Sequence, residues 1–137
     1  MKKTLYRLAS MAFLTSAALS LLHSQTNLNT AQLEELLNTN KTVLLVDLRT
    51  PGEIQHTGKI AGAWEIDYYA PDFKEKISRL DHKRPVVLYC ASGGRSSSAA
   101  AQLPQLGFAK VYNYTGGMRE WKALKKNTVP AGEKPRS

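Results

Sequence analysis

Short apolar runs alternate with amphipathic stretches from about residue 30 to residue 126. Val43–Val46, Ala63–Ile66, Val86–Tyr89 and Val111–Tyr114 have strand length and are bounded by turn residues. Leu33, Leu36 and Leu37 recur on one helical face behind Thr30, a candidate N-cap, and Asn38 to Asn40 supply the turn that ends this helix. Pro51 begins a short helix after the turn-rich Arg49-Thr50. Pro71 opens another in which Phe73, Ile77 and Leu80 share a face while Lys74, Glu75 and Lys76 stay wet. A Ser- and Ala-rich helix follows from Ser96, with Pro104 set to kink or end it and Gly107 marking its exit. Gly116-Gly117 then leads into a last helix through Met118-Arg119-Glu120-Trp121, and sparse apolar content from Asn127 onward predicts a flexible basic tail, residues 127–137.

Strands alternating with helices imply crossover connections, and hence an α/β domain whose parallel sheet is covered on both faces. Ligands of such sheets bind beyond the carboxyl ends of the strands. Cys90 lies at one of those ends, Asp47 and Arg49 lie just past another, and Gly116-Gly117 follows a third. Three segments distant in sequence are therefore expected to converge on one pocket.

The amino terminus has a different grammar. Lys2, Lys3 and Arg7 precede an apolar stretch from Leu8 to Leu22 that is broken only by Ser and Thr and contains no acidic residue. This is the pattern of a secretory signal peptide, expected over residues 1–24 with cleavage after Ser24; sites after Ser20 or Ala18 also offer small residues. The stretch is short and rich in small polar residues for a membrane anchor, which needs about 20 predominantly apolar positions. An exported protein is expected, periplasmic in a Gram-negative source, with no stable membrane insertion after cleavage and residues 25–126 forming the domain.

Loss of Lys2, Lys3 and Arg7 lowers the formal charge from +8 to +5, and much of the remainder sits near the carboxyl terminus at Lys122, Lys125, Lys126, Lys134 and Arg136. A terminal charge run is usually a solvated face, and no nucleic-acid motif accompanies it, so small anions are better partners than nucleic acid. His56 and His82 stand in polar turns without neighbours at ligand spacing, and His23 falls in the leader, so no metal is expected. Trp64, Trp121, Tyr68, Tyr69, Tyr112 and Tyr114 read as packing or pocket-wall residues.

Cys90 is the only cysteine, so no intramolecular disulfide is possible. It ends the run Pro85–Tyr89 and opens the loop Ala91-Ser92-Gly93-Gly94-Arg95-Ser96 at a helix N-terminus. Unpaired amides, the helix dipole and the Arg95 charge all favour thiolate over thiol, and such settings lower a cysteine pKa from about 8.5 to roughly 3.5–7.5. Cys90 thus reads as a nucleophile facing an anionic substrate. Two alternatives share the pattern: a small apolar residue closing a core strand, and a loop that cradles phosphate without covalent chemistry.

Four ordered motifs narrow the choice: Val46-Asp47-Leu48-Arg49-Thr50-Pro51-Gly52-Glu53, Gly58-Lys59-Ile60-Ala61-Gly62-Ala63, Val87–Ser96 and Gly116–Trp121. Together, over about Asn29 to Lys126, they resemble a single-domain rhodanese. The resemblance implies a five-stranded parallel sheet with helices on both faces and sulfurtransferase chemistry without a cofactor; a monomer is expected. Sulfane sulfur from thiosulfate or a similar donor would pass through a Cys90 persulfide to cyanide or a thiol. Arg95 would bind donor charge, and the backbone of Ala91, Ser92, Gly93, Gly94 and Ser96 would hold the persulfide and the donor. Asp47 is expected as structural support. Arg49 pairs with it and is counted among the residues that could reach substrate.

Four residues separate Cys90 from Arg95, as in sulfurtransferases, whereas the related phosphatases use a loop one residue longer. The chain departs from the resemblance at Lys59, commonly histidine, at Ala61, where a nearby proline is frequent, at Ala91, often basic, and at Pro104. An extra residue around His56-Thr57 fits a loop insertion, and the change at Lys59 is expected to matter little for chemistry. The alternative function is a persulfide carrier or interaction module that delivers sulfur to a protein partner with little small-molecule turnover. A thiol-redox sensor is a weaker third, lacking a resolving cysteine.

Overall fold

Every sheet position is set by parallel pairing, and the connections that parallel pairing demands place helices on both sides. The computed structural model describes residues 25–137, and the expected leader, residues 1–24, lies outside the described residues. Strands β1 (Thr26–Leu28), β2 (Leu44–Asp47), β3 (Trp64–Glu65), β4 (Val86–Tyr89) and β5 (Val111–Tyr114) form one five-stranded sheet in the order β1-β5-β4-β2-β3. All four pairings are parallel, with Asp47 opposite Tyr89 and Leu88 opposite Asn113. β4 is therefore central, and the residue after it, Cys90, stands between the ends of β2 and β5.

Alternation along the strands builds two cores. Leu44, Val46, Leu48, Val86 and Leu88 pack with α3 (Phe73–Ser78) and α4 (Gly94–Gln102) through Phe73, Ile77, Ala99 and Ala100. Leu45, Val87 and Tyr89 pack on the other face with α1 (Thr30–Thr39) and α5 (Gly117–Ala123) through Leu33, Met118 and Trp121. Each fully buried leucine or isoleucine contributes about 1.5–3 kcal/mol. That burial is concentrated in the inner strands β2 and β4, whereas both residues of the edge strand β3 are exposed. The remaining helix, α2 (Pro51–Thr57), starts at Pro51 with Thr50 as N-cap and Glu53 completing a capping box.

Local structure departs from the sequence pattern at three places. β1 carries one buried apolar side chain, Leu28, too little to register as a strand; it forms by pairing with β5. The cap of α1 is Asn29, in a capping box with Gln32, while Thr30 sits in the first turn with its buried hydroxyl shared between Tyr114 Oη at 2.8 Å and Glu120 Oε2 at 2.7 Å. α4 begins two residues before Ser96, at Gly94, and Pro104 falls in a separate 3₁₀ turn, Leu103–Leu106, that ends at Gly107.

The carboxyl-terminal segment, expected as a flexible tail, is instead tied to the domain. Lys59 and Val129 exchange backbone hydrogen bonds at 2.9 Å each, Trp121 Nε1 donates to Asn127 O at 2.8 Å, and Arg136 N donates to Gly62 O at 2.9 Å. Lys59 explains the attachment. Its side chain is buried, and its ammonium needs acceptors: Glu65 at 2.8 Å, Ala63 O at 2.8 Å and Glu133 O at 2.7 Å. Composition misses this because most of the tail side chains stay exposed and its backbone makes the contacts.

Truncation after Lys126 would orphan the Trp121 indole N–H and remove one acceptor from the buried Lys59 ammonium. A stability loss of about 1–3 kcal/mol for each such group is expected, read as a lower urea midpoint at unchanged slope; an unchanged midpoint would show that the tail contributes nothing.

Candidate active site

The loop after β4 is shaped by its neighbour after β5. The first amides of α5 have no intrahelical acceptor, and two of them take loop carbonyls: Met118 N donates to Cys90 O and Arg119 N to Ala91 O, each at 2.9 Å. Such close approach excludes a side chain at Gly117, which has φ +60° and where a Cβ would lie 2.6 Å from Ala91 O and 2.7 Å from Cys90 O. With those carbonyls tied back, the following amides turn inward. Gly93, at φ +94° and with no room for a Cβ beside Thr115 O, donates its N–H to Cys90 Sγ at 3.2 Å.

Cys90 is 1% exposed. Burial pushes its thiol up, while the Ser96 hydroxyl and the amides of Ser96, Ser92 and Gly93 pull it down further, leaving the thiol below its ordinary value. Ser96 Oγ lies 3.5 Å from Sγ and 3.2 Å from Gly93 O. Its one hydroxyl proton can serve the Gly93 carbonyl beside a thiol or turn to a thiolate. The amides that act on sulfur are thus those of Ser92, Gly93 and Ser96 from the expected run.

A cleft of about 510 Å³ opens over the sulfur, lined by Ser92 and Gly94 of the loop, Arg95 and Ser98 of α4, and Tyr68 and Tyr69 of the segment after β3. A Cβ at Gly94 would meet nothing within 4 Å, so this glycine keeps the entrance open rather than relieving the backbone. Tyr69 is exposed, and its ring lies 5.5 Å from the Arg95 guanidinium carbon. Tyr68 packs edge-on against Phe73 and is anchored in the core.

Arg95 does not stand free. Nη1 and Nη2 donate to the two carboxylate oxygens of Glu53, both at 2.8 Å. The Arg95 hydrogen bonds hold the Glu53 carboxyl at about 2, against a smaller effect of burial and with help from Thr50. Glu53 in turn raises the Arg95 guanidinium above its usual value. The capping-box pattern at Thr50 and Glu53 is legible in sequence, but the partner of Glu53 lies 42 residues away in the chain.

Arg49 is not in the cleft. It pairs with Asp47 through Nε at 3.0 Å and Nη2 at 2.7 Å, and donates to Thr57 Oγ1 and Gly58 O at 2.7 Å each. It lines a separate cavity of about 220 Å³ with Glu53, His56, Ala91 and Met118. Arg49 thus stands as a buried brace linking the end of β2 to α2, the role expected of its pair with Asp47; the substrate contact for which it was also counted is not open to it from here, and Ala91 also borders this second cavity. Among the described residues no group of three His, Cys, Asp or Glu side chains comes together, and no helix is long and apolar enough to cross a membrane.

Residues 29–124 match the rhodanese-like domain family. The chain belongs to that family. A sulfurtransferase of Allochromatium vinosum is 37% identical over 94 residues, covering 69% of this chain and 85% of the relative. A thiosulfate sulfurtransferase GlpE of Stutzerimonas stutzeri is 36% identical over 84 residues, covering 61% and 73%. The crystal structure of a rhodanese-related protein from Thermoplasma volcanium superposes with a TM-score of 0.65 at 30% identity, over 76% of this chain and 97% of that one. The same five-strand rhodanese fold is shared with the polysulfide-sulfur transferase homodimer of Wolinella succinogenes, at a TM-score of 0.66, 24% identity and 85% and 87% coverage.

Alkylation of this rhodanese-like domain by iodoacetamide should follow a titration whose midpoint lies below the value of about 8.5 for a free cysteine, and Ser96→Ala should move the midpoint up. The same shift ties charge to stability. The folded thiol is depressed, so the thiolate stabilises the fold above the unfolded value, and this gain is lost as pH falls through the folded one. A midpoint at or above the free value would mean that the loop does not hold a thiolate.

Gly94→Ala should melt within a few degrees of the parent while slowing alkylation. Gly93→Ala should destabilise by about 1–3 kcal/mol through strain at positive φ. Equal melting temperatures for the two variants would contradict these different roles.

Proposed function

We propose that the protein is a rhodanese-type sulfurtransferase that moves a sulfane sulfur from thiosulfate or a similar small donor to a thiophilic acceptor, cyanide or a thiol. The Cys90 thiolate attacks the outer sulfur of the donor; its S–S bond breaks, and the electron pair leaves with sulfite. Cys90 is left as a persulfide anion. The acceptor then attacks the terminal sulfur, forming thiocyanate or a new persulfide and returning the thiolate. No separate base is called on, because the loop itself lowers the thiol and favours the thiolate. The amides of Ser92, Gly93 and Ser96 that stabilise the thiolate sit where they can stabilise the persulfide, and the cleft leaves room for a small anion above it.

The observation that carries this reading is the convergence of donors on a buried sulfur beneath an open cleft, Gly93 N at 3.2 Å and Ser96 Oγ at 3.5 Å. The sulfurtransferase relatives support it. We further propose that the protein acts after export and removal of residues 1–24; β1 begins at Thr26, so cleavage after Ser24 leaves the sheet whole.

Intact mass of the purified mature protein, before and after thiosulfate, tests the reaction. Gain of one sulfur atom, its removal by cyanide and its absence in Cys90→Ser are expected. Sulfur transfer by Cys90→Ser at the parental rate would defeat the assignment.

A further inference from the structure

Four observations about charge in the cleft belong together. Among the described residues, Arg95 is the one cationic side chain that lines it; the others are Tyr68, Tyr69, Ser92, Gly94 and Ser98 beside Cys90. Position 91, next to the nucleophile, is alanine. Arg95 makes a bidentate pair with Glu53, so this cation is already matched by a carboxylate. The face of Tyr69 lies against the same guanidinium and makes the outer wall aromatic.

A donor approaching the sulfur therefore meets a thiolate, a neutralised Arg–Glu pair and backbone amides that carry only partial charge. A dianion is repelled by the thiolate about twice as strongly as a monoanion at the same separation. Without an unpaired cation, little in the cleft offsets the difference. An organic group on the donor, by contrast, can lie on the Tyr69 and Tyr68 rings, where a third anionic oxygen would be poorly placed.

We propose that Glu53 sets the donor preference of the cleft, holding Arg95 so that sulfane-sulfur donors with one negative charge and an organic substituent are used in preference to dianions. This rests on the persulfide chemistry proposed above and specifies its substrate class. Glu53 is a specificity-determining residue that acts through Arg95. Its carboxyl, held at about 2, stays ionised throughout the range in which the thiolate exists, so the preference is built in rather than switched by pH.

Thiosulfate and methanethiosulfonate isolate the charge. Both present a terminal sulfane sulfur on a sulfonyl group, and they differ by one anionic oxygen replaced with methyl. Attack by Cys90 yields the same persulfide, with sulfite leaving in one case and methanesulfinate in the other. Single-turnover persulfide formation is measured by mass for both donors in the wild-type protein, Glu53→Gln and Glu53→Asp. Gln keeps the capping box with Thr50 while removing the charge, and Asp keeps the charge. Comparing the ratio of the two rates between variants cancels the intrinsic reactivity of the donors.

The expected result is that Glu53→Gln shifts the ratio toward thiosulfate by about tenfold, the scale of one charge interaction at a partly exposed site, while Glu53→Asp stays near the wild-type ratio. A ratio unchanged in Glu53→Gln, whether both rates hold or both fall equally, would overturn the proposal and leave Glu53 as a support for Arg95. Failure of wild-type protein to form a persulfide with either donor would instead defeat the sulfurtransferase reading itself, and the preference with it.

Discussion

A sulfur that is to carry charge at the end of a protein core must be solvated by the protein, and here the groups that favour the thiolate are the Ser96 hydroxyl and the backbone amides of Ser96, Ser92 and Gly93. Amides can converge on one point only if the carbonyls between them are turned away and satisfied elsewhere. The first turn of α5 meets that requirement by donating Met118 N and Arg119 N to the carbonyls of Cys90 and Ala91. Two elements thereby complete each other: a helix start whose amides need acceptors, and a loop whose carbonyls need donors. The central place of β4 and the Gly116-Gly117 turn after β5 both follow from bringing them together.

The two arginines nearest this machinery are each paired with a carboxylate, in different settings. Arg49 is buried with Asp47, and four of its N–H groups are spent on Asp47, Thr57 and Gly58. Such a pair fixes geometry more than it adds net stability, since removing either partner leaves an uncompensated buried charge. Arg95 is at the cleft, yet it is clamped by Glu53. The positive formal charge of the chain thus overstates the field felt by a donor.

At Lys59 a long cation is buried, and its surroundings satisfy it. Glu65 supplies the counter-charge, Ala63 and Glu133 supply carbonyls, and Gly132 N donates to the same Glu65 carboxylate. One buried ammonium in a connecting segment thereby helps to hold the carboxyl-terminal residues to the domain.

The sequence by itself determined the parts that depend on local order. Short apolar runs bounded by turn residues marked β2, β4 and β5, helical patterning marked the faces of α1 and α3, and the strand, loop and helix around Cys90 displayed the thiol, its amides and the helix N-terminus within a few residues of one another. Tertiary structure decided what depends on pairing across the chain. β1 exists because β5 offers it an edge, the tail is held because a buried ammonium needs its carbonyl, and Arg95 is neutralised because α2 brings Glu53 to it. Arg95 lines the cleft and Arg49 a separate cavity for the same reason. Side-chain periodicity and capping act over one or two turns, so a sequence displays them directly; hydrogen bonds and ion pairs between residues dozens of positions apart leave no periodic trace and form only when the packed layers bring their partners within reach.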